Sequence, residues 1–402
     1  MKRVIAFLGT NPQPANYAYQ GQVYHGRSFP EALCGFLPFD RLHVFVTPMA
    51  REKTLPTLLQ LGDPRLAVVD IPDGRDSAEM WDIFDKLVGV VDDGDTLIFD
   101  ITHAFRSIPF FVMLALAFLK SAYENVTIER VLYGGLLFGD PAPVIDLTEF
   151  IGLLDWMSAT DQFVGFGNSQ ALVRRVRAAA LHGDGAADER LKMLQFATAL
   201  DDVSRSLQLV MPDRAMNAAD SLRRALAGAA EPLQRRLPPF GPLAARVDAA
   251  FGPMALANDR YRVAPWPYLR AERRVVHWYL DRQLLLQAID LAYEWLISYG
   301  ATYHRRGGNP FDDNTRKLVR RQYEKLNSQR ASPEAAAAED DLEAVPDLER
   351  VLSLFHEATE VRNTLLHAGR TARRDRTPAD WEGQVRRVCL RLSDLSLEEE
   401  AP

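Results

Sequence analysis

Short, continuously apolar runs alternate with helical patterns over the first 150 residues of the chain. A strand covered on both faces is apolar throughout, so such runs are typical of a mainly parallel sheet with helices on both sides. The runs are VIAFL (4–8), LHVFV (42–46), LAVVDI (66–71), TLIFD (96–100), IERVLYG (128–134) and PVIDL (143–147). The pattern predicts a doubly wound α/β domain, with a helix at roughly 103–122 and an antiparallel strand in the segment after Pro141.

After Phe150 the apolar positions recur at helical spacing, which predicts an all-α region. The helical patterns cover 156–265, about 270–300, a segment from Thr315, and, beyond an acidic low-complexity connector (331–347), roughly 347–368 and 380–395. We therefore expect three parts: an α/β domain (1–155), a helical connecting region (156–267) and a C-terminal helical domain (268–402).

Composition narrows the class of protein. With 47% apolar and 25% charged residues the chain is typical of a soluble globular protein, and its longest apolar run, Ile108–Leu119, is shorter than the ~20 residues of a membrane span. Cys34 and Cys389 lie far apart without CxxC spacing, which predicts neither a disulfide framework nor a cysteine zinc site and favours the cytoplasm. The net charge of −7 argues against a protein that mainly coats nucleic acid, although it leaves room for a local basic site.

Polar residues follow several of the predicted strands where a ligand would bind in an open parallel sheet. Thr102 can cap the helix that follows the fourth strand, and free N–H groups at a helix start bind anions. The candidate ligand-binding residues are Gly9, Thr10, Asn11, Thr102, His103, Arg106, Gly134 and Gly135. Ordinary strand-to-helix turns are the alternative, but the set as a whole favours phosphate binding. Neither GxxxxGK[ST] nor GxGxxG occurs, so a hydrolysed nucleotide or a redox dinucleotide is not expected.

The segment RNTLLH (362–367) lies in a predicted amphipathic helix. Its apolar positions recur at i, i+4, i+7 and i+11 (Leu354, Ala358, Val361, Leu365). A second stripe with similar spacing is polar: His356, Glu360, Asn363 and His367. Arg362 lies beside this polar stripe, and Asn363 shares a face with His367.

Three interpretations of that segment remain open. The first is a surface helix with a polar face. The second is a metal site, which is disfavoured because His356 and His367 lie roughly 16 Å apart along the helix axis. The third is metal-free RNA cleavage, in which histidine transfers protons and arginine stabilises charge on the phosphate. One histidine cannot easily act as both acid and base, so a homodimer that supplies two copies suits this chemistry. Residues 301–330 hold eight Lys and Arg against three acids, which favours a phosphate-bearing partner.

Two resemblances make the interpretation specific. FLGTN, the tyrosine-bearing segment NYAYQGQVYHGRSF and DITHAFRSIP resemble the CARF domain of type III CRISPR accessory proteins, over roughly residues 1–155. That resemblance implies binding of a cyclic oligoadenylate. RNTLLH resembles the R-N-x-x-x-H motif of HEPN ribonucleases, and LLLQAIDLAYEWLISYG (284–300) looks like an early HEPN helix, with Asp290 and Glu294 on one face. The resemblance to the HEPN motif, carried over residue by residue, implies that Arg362 and His367 are the catalytic pair and that Asn363 is a supporting residue.

Together the resemblances imply a cytoplasmic, homodimeric endoribonuclease of type III CRISPR antiviral defence. It would cut single-stranded RNA without a metal or other cofactor and without a membrane partner, and a cyclic oligoadenylate would be its allosteric activator. The alternative is a ligand-sensing CARF-type regulator that binds DNA or protein, in which RNTLLH has only a structural role.

Overall fold

In a computed structural model, the chain is described at residues 1–11, 14–103, 108–181, 186–237, 240–257, 265–304, 311–330, 342, 344–367 and 376–397. The chain divides into two compact units, Met1–Asp155 and Trp156–Pro402. The boundary falls inside one helix, Thr148–Phe166.

The first unit contains, in its described residues, one sheet of eight strands. They are β1 (Lys2–Phe7), β2 (Ala15–Tyr19), β3 (Gln22–Gly26), β4 (Arg41–Val46), β5 (Leu66–Asp70), β6 (Thr96–Asp100), β7 (Thr127–Gly134) and β8 (Ala142–Asp146). Their order across the sheet is β3-β2-β8-β7-β6-β1-β4-β5. All six predicted strands are present, so the α/β prediction is confirmed.

The centre of the sheet is parallel. β1 pairs in parallel with β4 and β6, β4 with β5, and β6 with β7, whereas β7 and β8 are antiparallel. The antiparallel strand expected after Pro141 is therefore confirmed. Because β1, β6 and β7 are adjacent and run the same way, their carboxyl ends meet at one edge of the sheet.

Helices cover both faces of this sheet, as the doubly wound prediction requires. Val4 and Ala6 of β1 belong to the core on one face, and Ile5 and Phe7 to the core on the other. The helices of the unit are α1 (Phe29–Phe36), α2 (Pro48–Lys53), α3 (Leu55–Leu59), α4 (Ser77–Gly89), α5 (Ile108–Ala122) and α6 (Thr148–Phe166). This alternation along one strand shows why the central runs are continuously apolar.

The β2–β3 hairpin was not among the predicted strands. Its two strands pair antiparallel across a turn at Gln20 and Gly21, both with positive φ (49° and 80°). Tyr17 and Tyr19 are buried, but Asn16 precedes them in β2 and Gln22 and His25 lie in β3, so the segment lacks the continuous apolar run of a central strand. The sequence did contain one signal for this hairpin, the two-residue turn Gln20-Gly21 between two short tyrosine-bearing segments.

The second unit is mostly helical, which confirms the predicted all-α region. Its further helices are α7 (Gln170–Leu181), α8 (Ala187–Gln208), α9 (Pro212–Arg236), α10 (Phe240–Phe251), α11 (Pro265–Asp281), α12 (Leu285–Tyr303), α13 (Asp313–Arg330), α14 (Leu348–Leu366) and α15 (Pro378–Arg391). Short 3₁₀ turns occur at Gly252–Met254 and Leu392–Asp394.

One predicted helix needs correction. The pattern at about 270–300 is two helices, α11 and α12, because Gln283 has a positive φ of 58° and the Leu284 N–H donates back to the Tyr279 carbonyl, which ends α11. The helix predicted at roughly 103–122 corresponds to α5, which is described from Ile108 onward because residues 104–107 lie outside the described residues. Within the described residues, no helix combines the length and apolar character needed to cross a membrane.

Candidate ligand-binding and catalytic sites

Four of the predicted ligand-binding residues lie together beyond the carboxyl ends of β1, β6 and β7. A Cβ added to Gly9 would lie 3.1 Å from the Cβ of His103, so the two loops approach closely. The Gly134 N–H donates to the Thr102 hydroxyl at 2.7 Å, which joins the ends of β6 and β7. We call Gly9, Thr102, His103 and Gly134 the strand-end site.

The Thr102 side chain and backbone connect two neighbouring strand ends. Its hydroxyl oxygen accepts the Gly134 N–H, and its own backbone N–H donates to the Asp100 Oδ1 at 2.7 Å. Residues 104–107 lie outside the described residues, so the capping of α5 by Thr102 stays a prediction. The contacts that are described fix the spacing of the β6 and β7 ends.

His103 is held as a neutral ring. The Phe29 N–H, in the first turn of α1, donates to the His103 Nε2 at 3.4 Å. Burial lowers the pKa of His103 to about 4. With Nε2 accepting, the proton is on Nδ1, so the ring can donate one hydrogen bond to an anion but brings no positive charge near neutral pH.

Asp100 and Tyr17 complete the floor of this site and were not among the predicted residues. Asp100 is fully buried, burial raises its pKa to about 7, and its Oδ2 has no hydrogen-bond partner among the described residues. The Tyr17 hydroxyl is likewise unpartnered there, and burial, with a smaller contribution from Asp100, raises its pKa to about 12. The sequence did contain a signal for Asp100, because this acid directly follows the apolar run TLIF. Burying a carboxylate costs free energy unless the group has a partner or a function.

The other four predicted ligand-binding residues are Gly135, Thr10, Asn11 and Arg106. Gly135 is buried and donates its N–H to the Pro143 carbonyl at 2.8 Å. A Cβ at Gly135 would lie 2.5 Å from the Phe138 ring and 3.1 Å from the Pro143 carbonyl oxygen, so a larger residue here would displace the exposed Phe138 side chain. Thr10 is half-buried and Asn11 exposed, directly after Gly9. Arg106 lies outside the described residues.

In the helical unit, α14 has the two faces that its sequence predicts. Leu354, Ala358 and Val361 are buried, and Leu365 is half-buried. The polar positions His356, Glu360, Asn363 and His367 are all exposed. The buried face holds the helix in the core and leaves the polar face available.

Arg362 is fixed by α12. Its Nε donates to the Asp290 Oδ1 at 2.6 Å, and its guanidinium lies 4.7 Å from the centre of the Tyr293 ring. The two charged side chains are 24% and 29% exposed, so the pair is partly shielded from water. An ion pair together with an aromatic face restricts a long side chain and leaves the other guanidinium nitrogens free to donate.

Asn363 and His367 lie at the exposed end of α14. His367 is the residue after the last helical turn, and its N–H donates to the Asn363 carbonyl at 3.0 Å. Within the described residues the His367 side chain makes no hydrogen bond, so its imidazole is available to a substrate or to a second copy of the chain. We call Arg362, Asn363 and His367 the α14 site.

Part of the predicted basic cluster is neutralised within the unit. Arg316 pairs with Glu294 at 2.6 Å, and Arg320 with Glu324 at 3.0 Å. The i, i+4 pair of Lys317 and Asp313 is longer, at 3.6 Å. Arg305 and Arg306 lie outside the described residues. Among the described residues, no group of three or more His, Cys, Asp or Glu side chains is arranged to hold a metal ion.

Comparison with known proteins gives one substantial match. No protein-family model matches the chain. Over 103 residues, 24% of its length, the chain is 38% identical to the CRISPR-associated protein MJ1674 of Methanocaldococcus jannaschii. The match spans only 16% of that relative's length. It confirms the resemblance to CRISPR-associated proteins that the sequence motifs indicated.

A solved structure also aligns with the chain. Enterococcus italicus Csm6 bound to cyclic hexa-2'-fluoro-hexa-dAMP aligns with 100% of this chain and 96% of its own, at 10% identity and a TM-score of 0.34. A TM-score this low supports no inference about this chain.

Proposed function

We propose that this chain is a type III CRISPR accessory endoribonuclease: the strand-end site binds a cyclic oligoadenylate, and the α14 site cuts single-stranded RNA. The observation that carries the proposal is the placement of Arg362, a cation fixed by Asp290 and Tyr293 on the helix that ends with an exposed histidine. The 103-residue match to a CRISPR-associated protein supports the same context.

RNA cleavage needs two things from the α14 site. The 2′-hydroxyl attacks the adjacent phosphate, so a group must take its proton while another protonates the leaving oxygen. His367 suits proton transfer because the pKa of an imidazole ordinarily lies near neutrality. Arg362 suits the phosphate because its fixed fork can donate to the oxygens as charge develops. A homodimer would bring two copies of His367 to one phosphate, and no step requires a metal.

The strand-end site suits an anionic ring for different reasons. His103 offers one N–H without a charge, and Gly9 and Gly134 let neighbouring side chains, His103 and Thr102 among them, pack closely against the backbone at the strand ends. For the ring to act as a switch it must bind the active arrangement of the dimer better than the inactive one.

The alternative function is a CARF-type regulator that binds DNA or protein. The pair of Arg362 with Asp290 also fits this alternative, because it links α14 to α12 and so could serve packing alone. The two functions differ in what His367 does: the enzyme needs it, and the regulator does not.

One assay separates them. We would incubate full-length protein with a fluorescent single-stranded RNA and a panel of cyclic tri-, tetra- and hexa-adenylates, with and without a chelator. The proposal predicts cleavage that one ring size stimulates and that the chelator leaves unchanged. Sequence-specific binding of duplex DNA without RNA cleavage would favour the regulator, and strong inhibition by the chelator would point to a metal.

A further inference from the structure

The helical unit contains a polar cavity whose lining, among the described residues, includes Asp290, the partner of Arg362, and no residue of α14. Its volume is about 220 Å³, and four acidic residues from three helices line it: Asp213, Glu272, Asp290 and Glu294. Arg316 is the basic residue on its wall, paired with Glu294 at 2.6 Å. Four acidic residues face Arg316 and the Arg362 that pairs with Asp290, so the lining favours a cation once Glu272 is ionised.

Glu272 is the group that sets this cavity apart from a solvated acidic patch. The side chain is 3% exposed, although charged carboxylates are rarely buried without a partner. Its Oε1 accepts a weak hydrogen bond from the Tyr268 hydroxyl at 3.4 Å, while its Oε2 is buried and has no partner among the described residues. A buried acceptor left unpaired costs about 1–3 kcal/mol, so a ligand that donates to it gains from satisfying it.

The rest of the wall indicates what kind of cation fits. Tyr268 and Phe311 line the cavity edge to face, with ring centres 4.6 Å apart, and Tyr268 also donates to Asp213. Aromatic rings beside carboxylates suit an alkylammonium, whose methylenes pack on the rings while its N–H groups donate to oxygen. A metal ion is a poorer fit, because no three acidic or imidazole side chains among the described residues converge on one point.

We propose that this cavity binds a small organic cation of the diamine class, with the Glu272 carboxylate as its principal partner. Asp213 and the aromatic rings complete the site, and Asp290 lines the same cavity while holding Arg362 on its other side. The proposal concerns binding, so it stands or falls independently of RNA cleavage.

Protonation gives the site a measurable signature. Burial, with smaller contributions from Asp213 and Glu294, raises the pKa of Glu272 to about 8 against the opposing effects of Arg316 and of the Tyr268 hydroxyl. Near neutral pH the carboxyl is therefore mostly protonated, and a cation that binds the ionised form must release its proton. Affinity should therefore rise with pH up to about the pKa of Glu272 and level off above it.

The experiment is isothermal titration of putrescine into the full-length protein, with 1,4-butanediol as the uncharged control ligand. Repeating the titration in two buffers of different ionisation enthalpy measures the protons released. We expect saturable binding with close to one proton released near neutral pH, and no binding of the diol. Glu272→Gln should raise the Kd at least about tenfold and abolish proton release, as expected for losing a charge-assisted hydrogen bond. Glu382→Gln, on α15 and outside the cavity lining, should bind as the wild type does.

Four results would overturn the proposal: no saturable binding by the wild type, equal binding of the diol, unchanged affinity in Glu272→Gln, or no proton release when the wild type binds the diamine. Circular dichroism checks that the variant is folded. Proton release is measured on the wild type alone, so it tests the proposal even if Glu272→Gln is unstable. Its absence would also overturn the proposal.

Discussion

The strand-end site and the α14 site hold their functional groups in different ways. In the first, buried groups fix one another: Thr102 joins two strands, the neutral His103 accepts a backbone N–H, and Asp100 is fully buried. In the second, the side chains lie on one helix, and of the three only Arg362 is held by another element in the part of the chain that the structure describes.

The difference predicts how each site responds to change. A site made of backbone and buried groups cannot be altered without disturbing the fold, so its variants should lose stability and binding together. A site on a solvated helix face can lose its chemistry while the fold remains. The α14 site should therefore separate activity from stability, and the strand-end site should not.

The largest expected effect is on activity at the α14 site. His367→Ala should lower RNA cleavage at least ~100-fold, the usual scale for a lost general acid or base. The matched control is His356→Ala, on the same exposed stripe of the same helix, which should cleave at near the wild-type rate. Melting temperatures of both variants should stay close to that of the wild type. Near wild-type cleavage by His367→Ala would remove the assignment.

The next effect is a pH dependence of stability at the strand-end site. The folded pKa of Asp100 is raised to about 7, above its unfolded value of about 4, so the charged form is penalised in the folded state. The free energy of unfolding therefore falls as pH rises between these two pKa values, by a few kcal/mol in all. The loss is complete above about pH 7.

Asp100→Asn tests this by removing the titration. The difference in melting temperature, variant minus wild type, should grow in favour of the variant from about pH 5 to pH 7 and then level off. A difference that does not change with pH would show that Asp100 keeps an ordinary pKa in the folded protein.

A smaller loss is expected at Gly134. A Cβ there would lie 3.1–3.2 Å from Phe29, Tyr17 and Thr102, so Gly134→Ala should cost about 1–3 kcal/mol by overpacking and weaken ligand binding in the same variant. Gly152→Ala is the control, because a Cβ at that helical position meets nothing within 4 Å. Thermal unfolding of the two variants measures the difference. Equal stabilities would show that the side chains around Gly134 can move to accommodate a Cβ.

The smallest effect on stability is expected from the pair that fixes Arg362. Asp290→Asn should cost no more than ~1 kcal/mol, because both partners are partly exposed. Its effect on RNA cleavage should be larger than that stability change, since a mobile guanidinium positions the phosphate poorly. A double-mutant cycle with Arg362→Lys measures the coupling. Additive effects on cleavage would mean that Asp290 does not position Arg362.

Much of this could be predicted from the sequence, for stated physical reasons. The central strands were predictable because burial on both faces requires a continuous apolar run. The β2–β3 hairpin lies at one edge of the sheet and has no such run, so the same criterion did not detect it. The grouping of Gly9, Thr102, His103 and Gly134 followed from the rule that parallel strand ends converge.

What could not be predicted depends on burial and on packing between distant residues. The neutral state of His103 and the raised pKa of Asp100 are consequences of desolvation, which appears only once the chain is folded. Arg362 and Asp290 are 72 residues apart, and both were noted separately, but their ion pair depends on how α14 packs on α12.

The central claim is that the strand-end site controls the α14 site, and an activator titration of RNA cleavage tests it most directly. Wild type and Arg106→Ala would be titrated with the ring size that activates, and binding measured calorimetrically on the same samples. Arg106 follows His103 of the strand-end site by three residues in the sequence and is one of the predicted ligand-binding residues. The account predicts that the variant needs more activator, with binding weaker by about 1.5–3 kcal/mol, yet reaches the wild-type rate at saturation. Unchanged binding in the variant, or wild-type protein that binds no cyclic oligoadenylate, would contradict it.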